Sequence, residues 1–227
     1  MTPSAFFKNL GCRESDPLPE ELPEVPVSAY ETIAPPAAAV MHKARPTAMP
    51  VHQIMGSAVT DLAEEQGGTG RGMNYGSRVH RMAQMLANGS EPDPKTVKEM
   101  PETESVRRFL RTRPEGAVYT EVPCALHLDT AARKFVLNGS IDLLIVSEDK
   151  VHIYDWKTDV TTAYSSEYRI QLSVYAHAVK RYYPDREVQA SIVWLSTPDQ
   201  AVERISPLSE EEIASLAERS LRTGTSG

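Results

Sequence analysis

Two aspartates, each set inside an apolar run, are the residues of this chain best placed to do chemistry. The first run is Asn138-Gly139-Ser140-Ile141-Asp142-Leu143-Leu144-Ile145-Val146. The second is Val151-His152-Ile153-Tyr154-Asp155-Trp156-Lys157-Thr158, and Ser147-Glu148-Asp149-Lys150 joins the two. If the polar quartet turns a hairpin with Val146 opposite Val151, an unbulged antiparallel ladder sets Asp142 directly across from Asp155. Their side chains then share a face, with Cβ atoms ~4.5–5.5 Å apart. Like charges opposed in an apolar sheet repel one another and are costly to desolvate, so something must offset them. A divalent cation does so, because Mg²⁺ is held by one or two carboxylates and completes its shell with water and phosphate oxygens. Lys157 lies two residues beyond Asp155 on the same face, where an ammonium can neutralise the pair or orient a water beside a scissile phosphate. The plainer alternative is that Asp142 caps a bulge after Gly139-Ser140 while Asp155 and Lys157 form a surface ion pair.

The elements around this hairpin follow from periodicity. Residues 117–128, 134–146 and 151–157 read as strands separated by polar turns. Helices are expected over 51–64, over 76–87 with Val79, Met82, Ala83 and Leu86 on the buried stripe, and over 103–112. A long helix is expected over 167–182, closed by Tyr183-Pro184, followed by a strand over 188–195. Ser209-Glu210-Glu211-Glu212 is a capping box that opens a last helix through about residue 221. Three strands, a helix and a further strand predict an α/β fold around a mixed sheet. Nine of the 17 prolines fall in the first 50 residues, which read as an extended linker or wrapping arm ahead of a domain over 51–227.

Composition narrows the function. A 227-residue chain with 41% hydrophobic and 24% charged residues is globular, and no apolar run approaches the ~18 residues of a membrane span. The start of the chain lacks the features of a secretory signal, so a cytoplasmic protein is expected. Cys12 and Cys124 are too few for a disulfide framework, a four-cysteine zinc site or an iron–sulfur cluster. A formal net charge of −7 argues against a general nucleic-acid coat. It leaves open an enzyme that gathers carboxylates around a metal. Gly67-Gly68-Thr69-Gly70-Arg71-Gly72 lacks the closing Gly-Lys-Ser/Thr of a phosphate-binding P-loop, so no ATPase motif is present. Arg107, Arg108, Arg111 and Arg113, and separately Arg169, Lys180 and Arg181, form basic clusters that either track a nucleic-acid backbone or solvate a helix face.

Gly139-x-x-Asp142, Asp155-Trp156-Lys157-Thr158 and Gln171-Leu172-x-x-Tyr175 together resemble the PD-(D/E)XK nuclease superfamily. Within it, the pattern is similar to the RecB/AddA-type nuclease domain of helicase–nucleases. Tyr75-Gly76-Ser77-Arg78-Val79-His80 resembles that family's Gly-x-x-x-His helix start, and Glu121-Val122-Pro123 its Glu-x-Pro strand. The resemblance spans roughly residues 48–195. It implies a restriction-endonuclease-like mixed central sheet flanked by helices, preceded here by the Pro-rich extension. It also implies that His80, Asp142, Asp155 and the main-chain carbonyl of Trp156 bind Mg²⁺ or Mn²⁺. Lys157 would then orient or activate the attacking water, and Glu121 would support a second metal or the water network. Gln171 and Tyr175, one helical turn apart, would reach the site or the DNA backbone. Trp156 stands where the family usually has Tyr, and the cysteines that hold an iron–sulfur cluster in some relatives are missing.

The activity so implied is metal-dependent hydrolysis of DNA from single- or double-stranded ends, as an exonuclease in repair and recombination. A helicase motor would be attached in cis or supplied as a separate subunit. The competing class is a nuclease-like fold that no longer cuts and serves to bind DNA ends or scaffold a repair complex. A metal-free hydrolase lacks a Gly-x-Ser-x-Gly elbow or an activated cysteine.

Overall fold

Strand β1 (Thr47–Pro50) closes the Pro-rich stretch and runs parallel to a much longer strand from the middle of the chain. The structure, a computed structural model, describes residues 46–55, 73–159, 162, 164–197 and 202–223. A 3-10 turn (Val51–Ile54) follows β1. The rest of the helix expected over 51–64, and the glycine loop at 67–72, lie outside the described residues apart from Met55. Three helices come next, α1 (Met73–Ala87), α2 (Pro94–Glu99) and α3 (Glu102–Thr112). Then follow β2 (Ala117–Asp129), β3 (Lys134–Val146) and β4 (Lys150–Lys157), then α4 (Ser165–Tyr182), β5 (Glu187–Trp194), β6 (Val202–Arg204) and α5 (Glu210–Thr223). Strands β1 and β6 are not among the elements expected from the sequence. The four residues of β1 belong to the sheet and not to an extension. Pro50 is tolerated there because it ends a short strand, where a missing N–H costs little.

The sheet runs β1-β3-β4-β5-β6, with β2 on the other edge of β3. It is mixed: β2, β3 and β4 form an antiparallel meander, β4 and β5 are parallel, and α4 makes the crossover between them. Helices cover both faces, as the restriction-endonuclease-like architecture requires. One face packs Tyr168, Leu172, Tyr175 and Val179 of α4 and Ile213 and Ala217 of α5 over Leu137, Ile153, Ile192 and Trp194. The other packs Val79, Met82 and Ala83 of α1 and Val106 and Phe109 of α3 over Leu143, Ile145, Trp156 and Val193. Each fully buried aliphatic side chain contributes about 1.5–3 kcal/mol, so α1 is anchored by its apolar stripe. No described helix is long and apolar enough to cross a membrane.

Two irregularities shape β3. On one edge, β1 pairs with Phe135–Asn138 and β4 with Leu143–Val146, which leaves Gly139 to Asp142 without a strand partner there. On the other edge, β2 pairs in constant register except at Glu121 and Asp142, which face each other unbridged. Glu121 has φ 50°, a left-handed backbone that costs a non-glycine residue on the order of 1 kcal/mol. The side-chain alternation slips at the same point in both strands. Phe135, Leu137 and Ile141 face α4 and α5, but beyond Asp142 it is Leu144 that faces them. In β2, Val122 and Cys124 pack toward α4 while Val118 packs toward α1 and α3. The slip frees the carboxylates of Glu121 and Asp142 from the sheet's regular in-and-out pattern.

Candidate metal centre

Asp142 is the hub. The β3–β4 ladder keeps the expected register from Val146–Val151 to Leu143–Tyr154 and ends one step before Asp142 and Asp155 would pair. Where the ladder stops, the Asp142 carboxylate takes over: its Oδ2 accepts a 2.8 Å hydrogen bond from the Trp156 N–H. Its Oδ1 lies 3.2 Å from His80 Nδ1 on α1. Glu121 approaches from β2, its Oε2 accepting a 3.1 Å hydrogen bond from Ser140 Oγ. One ligand atom each from His80, Glu121 and Asp142 falls within 4.8 Å of the others. The cavity over this group is lined by Gly76, Ser77, His80, Arg81, Gln84, Glu121 and Asp142.

Asp155 sits beside this trio and outside it. It is 2% exposed, and its Oδ2 lies 2.6 Å from Lys157 Nζ, a close ion pair. Among the described residues, no donor other than Lys157 reaches that oxygen. Burial pushes the Asp155 carboxyl up to about 6, with the neighbouring Asp142 charge adding to the rise and Lys157 opposing it. A buried carboxylate with a single ammonium partner, beside the Asp142 carboxylate and the His80 imidazole, is an environment that a divalent cation would relieve. The donor set fits such an ion: carboxylate oxygens suit Mg²⁺ and Mn²⁺, and the imidazole nitrogen tilts the set toward Mn²⁺.

His80 and Asp142 each shift the other's charge balance. Burial pulls the imidazole down, but the Asp142 charge and its hydrogen bond overcome this and leave His80 raised. Burial pushes Asp142 up, and the opposing pull of His80, Lys157 and the Trp156 N–H leaves it lowered. Asp142 is therefore an anion ready to bind a cation, and His80 is the group that must lose a proton for it.

Lys157 is held on three sides. Besides Asp155, its Nζ donates a 3.2 Å hydrogen bond to Gln171 Oε1 and stands 4.1 Å from the centre of the Tyr168 ring. Gln171 Nε2 in turn donates to the Tyr175 hydroxyl at 2.9 Å. The Tyr175 ring lies over Gly139, where any Cβ would come within 2.6 Å of the Tyr175 hydroxyl oxygen. The sequence-motif residues Gly139, Tyr175, Gln171, Lys157 and Asp155 thus form one continuous chain of contacts. Tyr168 was not singled out from the sequence; its signal was its position three residues before Gln171 on the same helical face.

Trp156 shows why an aromatic residue stands between the two charged ones. Its side chain points away from Asp155 and Lys157, 1% exposed, and meets Phe109 of α3 edge-on at 5.1 Å. The N–H and C=O of a strand residue leave the same edge, so the Trp156 carbonyl projects toward β3 as its N–H does. Helix α1 is clamped over the site by Tyr75 hydrogen-bonded to the buried carboxylate of Glu102, which also accepts from Ser196. Arg78 adds an ion pair to Glu99. Much of the basic charge read from the sequence is taken up within the protein. Arg107 pairs with Glu91, Arg111 with Glu104 and Arg181 with Glu210, while Arg169 and Lys180 donate to the backbone at Ser206 and Arg186.

Known proteins bear on this arrangement. An ATP-dependent helicase/nuclease polypeptide of Streptococcus thermophilus is 32% identical over 106 residues, which cover 44% of this chain and 8% of that protein. Its counterpart in Streptococcus sanguinis is 25% identical over 149 residues, 55% of this chain and 12% of that protein. This chain therefore spans only about a tenth of the length of these curated relatives. The crystal structure of SSO0001 superposes with a TM-score of 0.43 and 14% identity, covering 78% of this chain and 76% of that one. Residues 51–225 match the model of the PD-(D/E)XK nuclease superfamily, a span that takes in the sheet meander, its carboxylates and Lys157. With most of its length so matched, the chain belongs to the PD-(D/E)XK nuclease superfamily.

Proposed function

We propose that this chain is a Mg²⁺- or Mn²⁺-dependent deoxyribonuclease that hydrolyses phosphodiester bonds from DNA ends as an exonuclease. The observation that carries the reading is the convergence of His80, Glu121 and Asp142 beside a buried Asp155 carboxylate that Lys157 alone neutralises among the described residues. His80, Asp142, Asp155 and the Trp156 carbonyl would hold the ion, with Glu121 completing the set or supporting a second ion. Such an ion supplies Lewis acidity toward a phosphate oxygen and a water of lowered pKa. Lys157, steered by Gln171 and Tyr168, would hold the attacking water in line by hydrogen bonding. Tyr175 would act through Gln171, fixing which way its amide points.

The similarity to helicase/nuclease proteins supports a nuclease that works with a helicase, and the proposed setting is cytoplasmic DNA-end processing in repair and recombination. The helicase motor would lie in cis or in a separate subunit, with the nuclease domain beginning at β1 and the residues before Thr47 as its extension. Incubation with end-labelled linear single- and double-stranded DNA tests the reading. Cleavage in Mg²⁺ or Mn²⁺ is expected, absent in EDTA and lost in Asp142→Ala and Lys157→Ala. Tight DNA binding with no cutting in either metal overturns it in favour of a non-cleaving DNA-end-binding module.

A further inference from the structure

We propose that Arg81 is the phosphate-binding residue of this site, gripping a phosphate of the DNA strand that enters the cavity over His80, Glu121 and Asp142. This inference rests on the nuclease reading and adds to it the group that recognises the substrate's charge. Three observations carry it. First, Arg81 lines the same cavity as the three candidate metal ligands. Second, its side chain is exposed and makes no ion pair among the described residues, whereas nearby cations are neutralised: Arg78 by Glu99, and Arg107 by Glu91 and Glu104. Third, Lys157, the cation nearest the carboxylates, is already committed to Asp155, Gln171 and the Tyr168 ring.

A cavity walled by Glu121 and Asp142 repels a phosphodiester. A guanidinium on its rim offsets that repulsion, and its planar fork matches two phosphate oxygens at once. Residues 77, 80, 81 and 84 share one side of α1, as the helical repeat requires, so Ser77 and Gln84 offer further polar groups along the same wall. The helix that supplies the imidazole thus also supplies the anion grip, one residue along.

The test compares wild type, Arg81→Ala, Arg81→Lys and Arg133→Ala. Arg133 is an exposed arginine in the β2–β3 turn, away from the cavity and outside any ion pair among the described residues. Binding of a fluorescent single-stranded oligonucleotide is measured in EDTA across a salt series, and cleavage in Mn²⁺ gives KM and kcat. Arg81→Ala is expected to lower the slope of log affinity against log salt by about 0.7, one contact's worth on a single strand, and to cut kcat/KM about tenfold, mainly through KM. Arg81→Lys keeps most of the slope but loses part of kcat/KM, because the fork is gone. Arg133→Ala matches wild type. An unchanged slope and KM in Arg81→Ala, alongside an active wild type, overturns the inference alone. A wild-type chain that neither binds nor cuts DNA overturns the nuclease reading and this inference with it.

Discussion

At the scale of single residues, the site stores an electrostatic conflict that a cation would resolve. Asp155 is favoured as the neutral acid in the fold, with its carboxyl raised from 3.8 to about 6. Its stabilising contribution to the metal-free protein is therefore complete below 3.8 and lost as pH rises through about 6. Asp155→Asn should consequently stabilise the metal-free protein at pH 7.5 by on the order of 1–3 kcal/mol, with the gain shrinking as pH falls below 6. Thermal melts of both proteins in EDTA across pH check this; equal stability at pH 7.5 would show that Asp155 is not strained. His80, raised by its pairing with Asp142, must also shed a proton before it can bind an ion. Mn²⁺ affinity should therefore climb as pH rises above 6.5, which titration calorimetry in several buffers would register together with proton release. The pair of aspartates and Lys157 was legible in the sequence because charge inside apolar runs is conspicuous. The slip at Glu121 was not, because a left-handed backbone at a glutamate has no marker in residue type.

Among the elements, strands and helices deliver these side chains through a few close approaches. The gap in β3's edge between β1 and β4 opens Gly139 to Asp142, and the Tyr175 ring of α4 occupies the space above Gly139. Gly139→Ala should push Tyr175 away, loosen Gln171 and leave Lys157 free to drift. We expect kcat to fall at least tenfold, with a stability loss of about 1–3 kcal/mol from overpacking. Steady-state kinetics alongside a urea melt separate the two effects, and wild-type kcat in a folded Gly139→Ala would refute the relay from Tyr175 to Lys157. Near the C-terminus, the capping box expected from Ser209 and Glu212 is formed reciprocally, with hydrogen bonds of 3.2 and 2.7 Å. Ser209→Ala should cost about 1 kcal/mol of stability and leave cleavage intact, because α5 packs on the α4 side of the sheet, away from His80 and α1. The long elements were readable from periodicity. β1 and β6 escaped because strands of three or four residues carry no repeat long enough to detect, and Pro50 argued against one of them.

Over the whole molecule, three polypeptide segments distant in sequence meet at one point. Helix α1 brings His80, the meander brings Glu121, Asp142 and Asp155, and the crossover helix α4 brings the residues that hold Lys157. The sequence displayed the ingredients in order, but only the fold shows that Glu121 joins His80 and Asp142 while Asp155 lies against Lys157. This meeting point is where the proposed nuclease would bind its divalent cation. Titration of Mn²⁺ into the metal-free protein, followed by the loss of the free-ion electron paramagnetic resonance signal, measures that binding without any need for turnover. Saturable binding by the wild-type chain is expected, abolished in Asp142→Ala and weakened at least tenfold in His80→Ala. Binding of equal strength in Asp142→Ala, or none in the wild type at neutral pH, would refute the metal centre.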